Sequence, residues 1–166
     1  TEPQSVAIGD LDGDGKPDLA VTNLQSDKVS VLRNTSTSGT ISFATKAAFT
    51  KGTTAWNAAS GDLDGDGKPE VAVANDNATS VTVYRNTSTT GTIDTNSFAT
   101  KVDFTTGTRP QHVAIGDLDG DGKPDLAVAN YNSATVSVFR NTSTSGTIDT
   151  NSFAAKVDFT TGTNAW

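Results

Sequence analysis

Apolar and polar residues alternate with a period of two in short runs along this chain, and the runs recur in a fixed order. "SVAIG" at 5–9 is followed by "LAVTN" at 19–23, "VSVLR" at 29–33 and "FATKAAF" at 43–49. The series returns as "AASG" (58–61), "VAVAN" (71–75), "VTVYR" (81–85) and "FATKVDF" (98–104), and again as "VAIG" (113–116), "LAVAN" (126–130), "VSVFR" (136–140) and "FAAKVDF" (153–159). These runs are rich in Val, Ile, Phe and Thr and are punctuated by Gly, Asn, Asp and Ser. They predict four β-strands, A to D, in each copy, and no stretch carries a helical period.

Gly9 and Gly61 are 52 residues apart, and Gly61 and Gly116 are 55 apart; the second copy gains Asp94, Thr95 and Asn96, and the third keeps the longer form "GTIDTNSFAA" at 146–155. A period of about fifty residues marks a repeat architecture. Strand B alternates large and small residues: Leu19 and Val21 against Ala20 and Thr22, and Leu126 and Val128 against Ala127 and Ala129. Both faces are therefore suited to burial, with unequal volumes, as wedge-shaped sheets stacked around an axis require. A flat meander would leave one face wet.

The expected fold is an all-β propeller of four-stranded antiparallel blades: blade 1 at 1–52, blade 2 at 53–107 and blade 3 at 108–162. Residues 163–166 would open a further copy, since "TNAW" there matches "TEPQ" (1–4), "TTAW" (53–56) and "TRPQ" (108–111). Three blades fall below the four needed for closure. The end blades should each present an apolar sheet face, with large strand B residues such as Val128 turned outward. A dimer closing a six-bladed ring, a longer parent array and a fibre all answer that exposure.

Composition narrows the reading. Cysteine and methionine are absent, which rules out disulfides and thiolate metal sites, and no apolar run approaches a membrane span. The chain starts at Thr1, so a processed or excised segment is expected. The net charge is −7, and twelve of the 19 acidic residues lie in three loops, "GDLDGDGKPD" (9–18), "GDLDGDGKPE" (61–70) and "GDLDGDGKPD" (116–125). Two carboxylates ~5 Å apart at an effective dielectric of ~20 repel by roughly 3 kcal/mol. One divalent cation per loop would offset all but one of the seven net negative charges. The basic residues are scattered, which argues against nucleic acid as a partner.

Counting from Asp10, the carboxylates of Asp12, Asp14 and Asp18 fall at positions 3, 5 and 9, and Lys16 offers its carbonyl at position 7. Alternate residues of a curled loop point inward, so all-oxygen coordination of a hard cation, Ca²⁺, is expected. The equivalents are Asp62, Asp64, Asp66, Lys68 and Glu70, then Asp117, Asp119, Asp121, Lys123 and Asp125. An EF-hand fails here, because position 12 is Val21 and the flanks are strands. A solvated acidic turn is the plainer alternative.

The stretch "VAIGDLDGDGKPDLAV" resembles the FG-GAP/VCBS repeat of integrin α-chain propellers, some lectins and many bacterial surface proteins. The resemblance covers all three copies. It implies a propeller with one Ca²⁺ per blade, three per chain, held between the first two strands by the fifteen residues just named. It further implies a secreted or surface-bound, bacterial, non-catalytic module for recognition or adhesion, with a glycan or protein ligand. The alternatives are a structural repeat that assembles into a fibre or surface layer, and the non-catalytic propeller of a polysaccharide-active enzyme.

The end of the sheets opposite the acidic loops should gather Trp56 and Trp166 with Arg109, His112, Asn23, Asn75, Asp76, Asn77, Asn130, Tyr131 and Asn132. Rings beside amides suit sugar binding; capping of the blades by Trp56 and plain turn-making by the asparagines are the alternatives. His112 is the only histidine and the remaining carboxylates occur singly, so no enzyme is expected. Each copy also contains "RNTS", which makes Asn34, Asn86 and Asn141 candidate glycosylation sites or turn-closing side chains.

Overall fold

A computed structural model of the chain describes residues 2–24, 26, 28–50 and 54–162; Trp166 and the expected start of a further copy lie outside them. Twelve strands form three four-stranded antiparallel sheets in simple meander order, with no helix among the described residues and none long and apolar enough to cross a membrane. The first sheet holds β1 (Pro3–Gly9), β2 (Asp18–Asn23), β3 (Lys28–Leu32) and β4 (Ala47–Thr50). The second holds β5 (Ala55–Gly61), β6 (Glu70–Asn75), β7 (Ser80–Tyr84) and β8 (Val102–Thr105). The third holds β9 (Pro110–Gly116), β10 (Asp125–Asn130), β11 (Thr135–Phe139) and β12 (Val157–Thr160).

Register repeats with the sequence. Ala20 lies opposite Ala7 and Val31, Ala72 opposite Ala59 and Val83, and Ala127 opposite Ala114 and Val138. Each first strand carries a bulge at the same point, so Gln4, Trp56 and Gln111 are the extra residues there. A bulge re-aims the incoming chain just before the sheet.

Two apolar cores separate three layers. One lies between the first and second sheets, with Ala20, Val29, Val31 and Phe49 meeting Val71, Val73, Tyr84 and Phe98. The other repeats it between the second and third sheets, with Ala72, Ala74, Val81, Val83 and Phe104 meeting Leu126, Val128, Phe139 and Phe153. The alternation in strand B is thereby explained. Its large residues press onto the small strand B residues of the preceding sheet, and in the middle sheet every residue of β6 is buried. Full burial of each such Val or Leu contributes about 1.5–3 kcal/mol.

This arrangement corrects the expected direction of Val128. It is fully buried against the second sheet, and the outward side of β10 carries the small Ala127 and Ala129, both half-buried. Strand D is also shorter and later than its alternation implied. Phe43, Phe98 and Phe153 make single bridges to Asn34, Asn86 and Asn141, and the fourth strands start at Ala47, Val102 and Val157. Phe98 and Phe153 serve the layers instead: Phe98 meets Phe49 of the preceding sheet in a tilted pair at 4.5 Å, and Phe153 meets Phe104 edge to face at 4.9 Å.

The first strands of the three sheets adjoin. Asn57 donates through Nδ2 to Ser5 Oγ at 3.0 Å and accepts at Oδ1 from the Val113 N–H at 2.9 Å. A Cβ on Gly61 would sit 2.8 Å from Ile115 Cγ2, so the acidic loop must begin with glycine for the next sheet to come this close. The chain thus places all three acidic loops at one end of the layers.

Candidate metal centres

Each acidic loop leaves the first strand, curls through two glycines and returns as the second strand. In the first loop Gly13 and Gly15 have φ of 68° and 85°, a left-handed backbone that other residues adopt only with strain. The curl turns backbone N–H groups inward. Asp10 accepts from the N–H groups of Asp14 (3.1 Å) and Gly15 (2.8 Å), Asp12 from that of Asp14 (3.1 Å), and Asp14 from that of Lys16 (2.9 Å). The second loop repeats these bonds at Asp62, Asp64 and Asp66, and the third closes through Asp117, Asp119 and Asp121.

The position 9 carboxylate braces the loop against the sheet. Asp18 accepts from the N–H groups of Leu11 (2.9 Å) and Asn34 (2.7 Å). Asp125 does the same with Leu118 (2.9 Å) and Asn141 (2.7 Å), and Glu70 with Leu63 (2.7 Å) and Asn86 (3.2 Å). All three are buried.

Carboxylate oxygens converge in every loop. Asp10, Asp12 and Asp18 bring one oxygen each within 4.8 Å of one another, as do Asp62, Asp64 and Asp66, and Asp117, Asp119 and Asp125. Asp14, Asp121 and Glu70 stand outside these triads, and the loop lysines, expected to ligate through their backbone carbonyls, extend the ammonium groups of Lys68 and Lys123 to the carbonyls of Ser88 (2.7 Å) and Ser143 (2.8 Å). The buried Asp12 Oδ2 has no hydrogen-bond partner, an expensive condition for a carboxylate oxygen unless a cation takes it. Burial pushes the Asp12 and Asp18 carboxyls up from their ordinary values, and it pushes Glu70 up to about 7. Held all-oxygen carboxylates that resist ionisation without a counter-charge fit a hard divalent cation.

One participant was not anticipated. Arg85 donates through Nε to Asp64 Oδ2 at 2.8 Å and through Nη2 to Asp66 Oδ2 at 3.1 Å, which raises its own pKa. Arg33 approaches Asp14 at 3.9 Å. The signal was an arginine before every "NTS", read at first only as part of a sequon. A cation held in the second loop would share Asp64 and Asp66 with this guanidinium.

The sequon asparagines are structural. Asn34, Asn86 and Asn141 are buried, and their Nδ2 atoms donate to the carbonyls of Pro17, Pro69 and Pro124 in their own sheets at 2.7, 2.9 and 2.7 Å. Asn86 Nδ2 and Ser88 Oγ also hold the Leu11 carbonyl of the preceding loop at 2.8 and 2.7 Å, and Asn141 and Ser143 hold that of Leu63 at 2.7 and 2.8 Å. Each of these amide nitrogens is thus engaged in the fold, the turn-closing role open to it from the sequence.

At the opposite end, Arg109 adopts a φ of 61° and binds Asp76 through Nε at 3.1 Å while its guanidinium lies 5.2 Å over the Tyr131 ring. Gln111 joins it on Asp76 at 2.9 Å, which ties the second sheet to the third. Asn75 and Asn130 are buried and donate to Thr82 and Ser137, both at 2.8 Å, within their own sheets. Asn23 donates to Ser30 at 3.1 Å. Trp56 is half-buried in β5, and its carbonyl accepts from Thr22 Oγ1 at 3.2 Å. His112, Asn77 and Asn132 are exposed, and Gln111, His112, Asn130 and Tyr131 line a cavity of about 120 Å³. The expected face is thus divided: its arginine and buried asparagines hold the fold, and a smaller polar rim meets solvent.

With Glu70 raised from 4.5 to about 7 by burial, the folded chain keeps a proton there that the unfolded chain has lost between those values. In chelator, stability should therefore fall as pH rises from about 4.5 to 7. Melting in chelator at pH 5 and 7.5 should show this slope in the wild type and its loss in Glu70→Gln; a wild type that gains stability with rising pH contradicts it.

The sequence model of an FG-GAP-like repeat matches residues 10–73 and 62–128, and that of an FG-GAP repeat matches residues 110–147. No curated protein sequence matches the chain significantly.

Proposed function

The chain belongs to the FG-GAP-like repeat family, and from that premise we propose that it is a calcium-binding β-propeller module of a secreted or surface protein whose end opposite the acidic loops recognises a ligand. Three loops at one end, each converging three carboxylate oxygens within 4.8 Å of one another, carry the reading. Asp10, Asp12, Asp14, Lys16 and Asp18, and their counterparts in the second and third loops, would hold the cation. Bound Ca²⁺ would supply the counter-charge that lets the buried carboxylates ionise, and each loop would then stiffen its sheet pair. The blades are units 1–52, 53–107 and 108–162.

Recognition falls to the opposite end, where His112, Tyr131 and Gln111 border the cavity and Asn77 and Asn132 line a separate depression with Asp76 and Arg109. Mixed amide, imidazole and phenol groups suit the hydroxyls and faces of a glycan. Catalysis forms no part of the reading, since the acid-rich clusters lie in loops suited to a cation. A glycan array probed in calcium tests it: binding should appear and fall at least tenfold in Tyr131→Ala with His112→Ala. Binding that survives this change, or no binding to any glycan, overturns the carbohydrate reading.

A further inference from the structure

The six large apolar side chains that stand exposed among the described residues sort into two groups. Val6, Ile8 and Ile41 lie on the side of the first sheet turned away from the second, and Leu118, Val157 and Phe159 lie on the side of the third sheet turned away from the second. At the internal junctions their counterparts are buried or half-buried. Phe159 is 55% exposed where Phe49 and Phe104 are 9% and 8%, and Leu118 is 59% exposed where Leu11 and Leu63 are 1%. Val6 is 54% exposed where Val113 is 7%.

The polar bonds of the junction stop at the same places. The Leu11 and Leu63 carbonyls are each held by an Asn and a Ser of the following sheet, whereas that of Leu118 receives neither among the described residues. Conversely, among the described residues Asn34 Nδ2 donates only within its own sheet, to Pro17, and Ser36 Oγ turns back to the Ser42 carbonyl at 3.2 Å. Gly9 and Gly61 are crowded by Ser60 and Ile115 of the next sheet, while nothing lies within 4 Å of a Cβ on Gly116. The third sheet offers the knob and carbonyl of a junction, and the first sheet offers its socket and donors.

We propose that these two faces seat on each other between copies: the third sheet of one chain takes the first sheet of a second chain in the geometry of the two internal junctions. Leu118 then enters beside Ile41 and Phe43 of the second copy, and the Leu118 carbonyl receives Asn34 and Ser36. The contact is head-to-tail, because the faces complement each other and neither complements itself. Two copies of the 166-residue chain bring six of these sheets together, within the four to eight blades of known propellers, so such a pair can close as a ring. The assembly goes beyond the proposed recognition role and does not depend on which ligand the other end takes.

The experiment is sedimentation of the 166-residue chain in calcium, with two double variants that leave the metal loops untouched. Val157→Glu with Phe159→Glu spoils only the third-sheet face, and Val6→Glu with Ile8→Glu spoils only the first-sheet face; circular dichroism checks that both keep the β fold. The wild type should sediment at twice the chain mass, each variant alone at the chain mass, and an equimolar mixture of the two should return to twice the mass through its one intact junction. A folded wild-type monomer overturns the proposal, and points to other chain segments as the cover. Dimerisation of either variant alone overturns it too, because that requires a face pairing with its own kind.

Discussion

Asn86→Ala should cost about 3–5 kcal/mol of stability, one of the largest losses any single polar substitution can cause here. Asn86 is fully buried; its Nδ2 serves Leu11 and Pro69, and its Oδ1 accepts the Ser88 N–H at 2.9 Å. Alanine leaves those buried groups short of partners, at about 1–3 kcal/mol for each one left unsatisfied. At about 2–4 °C per kcal/mol, the melting temperature should fall by roughly 6–20 °C. In the monomeric Val157→Glu, Phe159→Glu background, where no second copy meets it, Asn34→Ala provides the internal control: among the described residues its amide bonds only Pro17 of its own sheet, so its loss should be clearly smaller. Asn86→Asp should be no milder than alanine, since a carboxylate would face two carbonyls. Equal and small effects at both positions would show that the clamp between sheets contributes little.

The strands were legible because the pattern that encodes them is local. Alternation in "VAVAN" and "VTVYR" gave β6 and β7 within a residue, and the repeated glycines and aspartates announced the loops before any geometry. What could not be read depends on contacts between copies of the repeat. The pairing of large with small strand B residues is visible in the sequence, but whether Val128 faces the preceding sheet or the outside is set by how the layers stack. "NTS" reads as an exposed turn, yet its Asn and Ser reach a carbonyl 75 residues or more away. Arg109 and Asn75 have the chemistry of a ligand face, but Asp76 and Thr82 had already claimed them. Phe43 satisfies the alternation of strand D, although the chain there makes only one bridge before the strand proper begins.

Calcium should raise the melting temperature of the folded chain by a large step. A cation that binds only the native state adds about 2.7 kcal/mol per site at a hundredfold excess over its dissociation constant, or roughly 5–11 °C for each loop it fills. The cause lies in the loops: buried Asp12, Asp18 and Glu70 are costly to ionise without a counter-charge, and Asp12 Oδ2 has no other partner. The most direct test compares melting of the wild type and of Asp12→Ala with Asp14→Ala, each in calcium and in chelator. The double variant should melt about 5–11 °C below the wild type in calcium, by loss of one site's contribution, and close to it in chelator. An equal drop in both conditions would contradict the account, because these aspartates would then serve the fold without binding a metal.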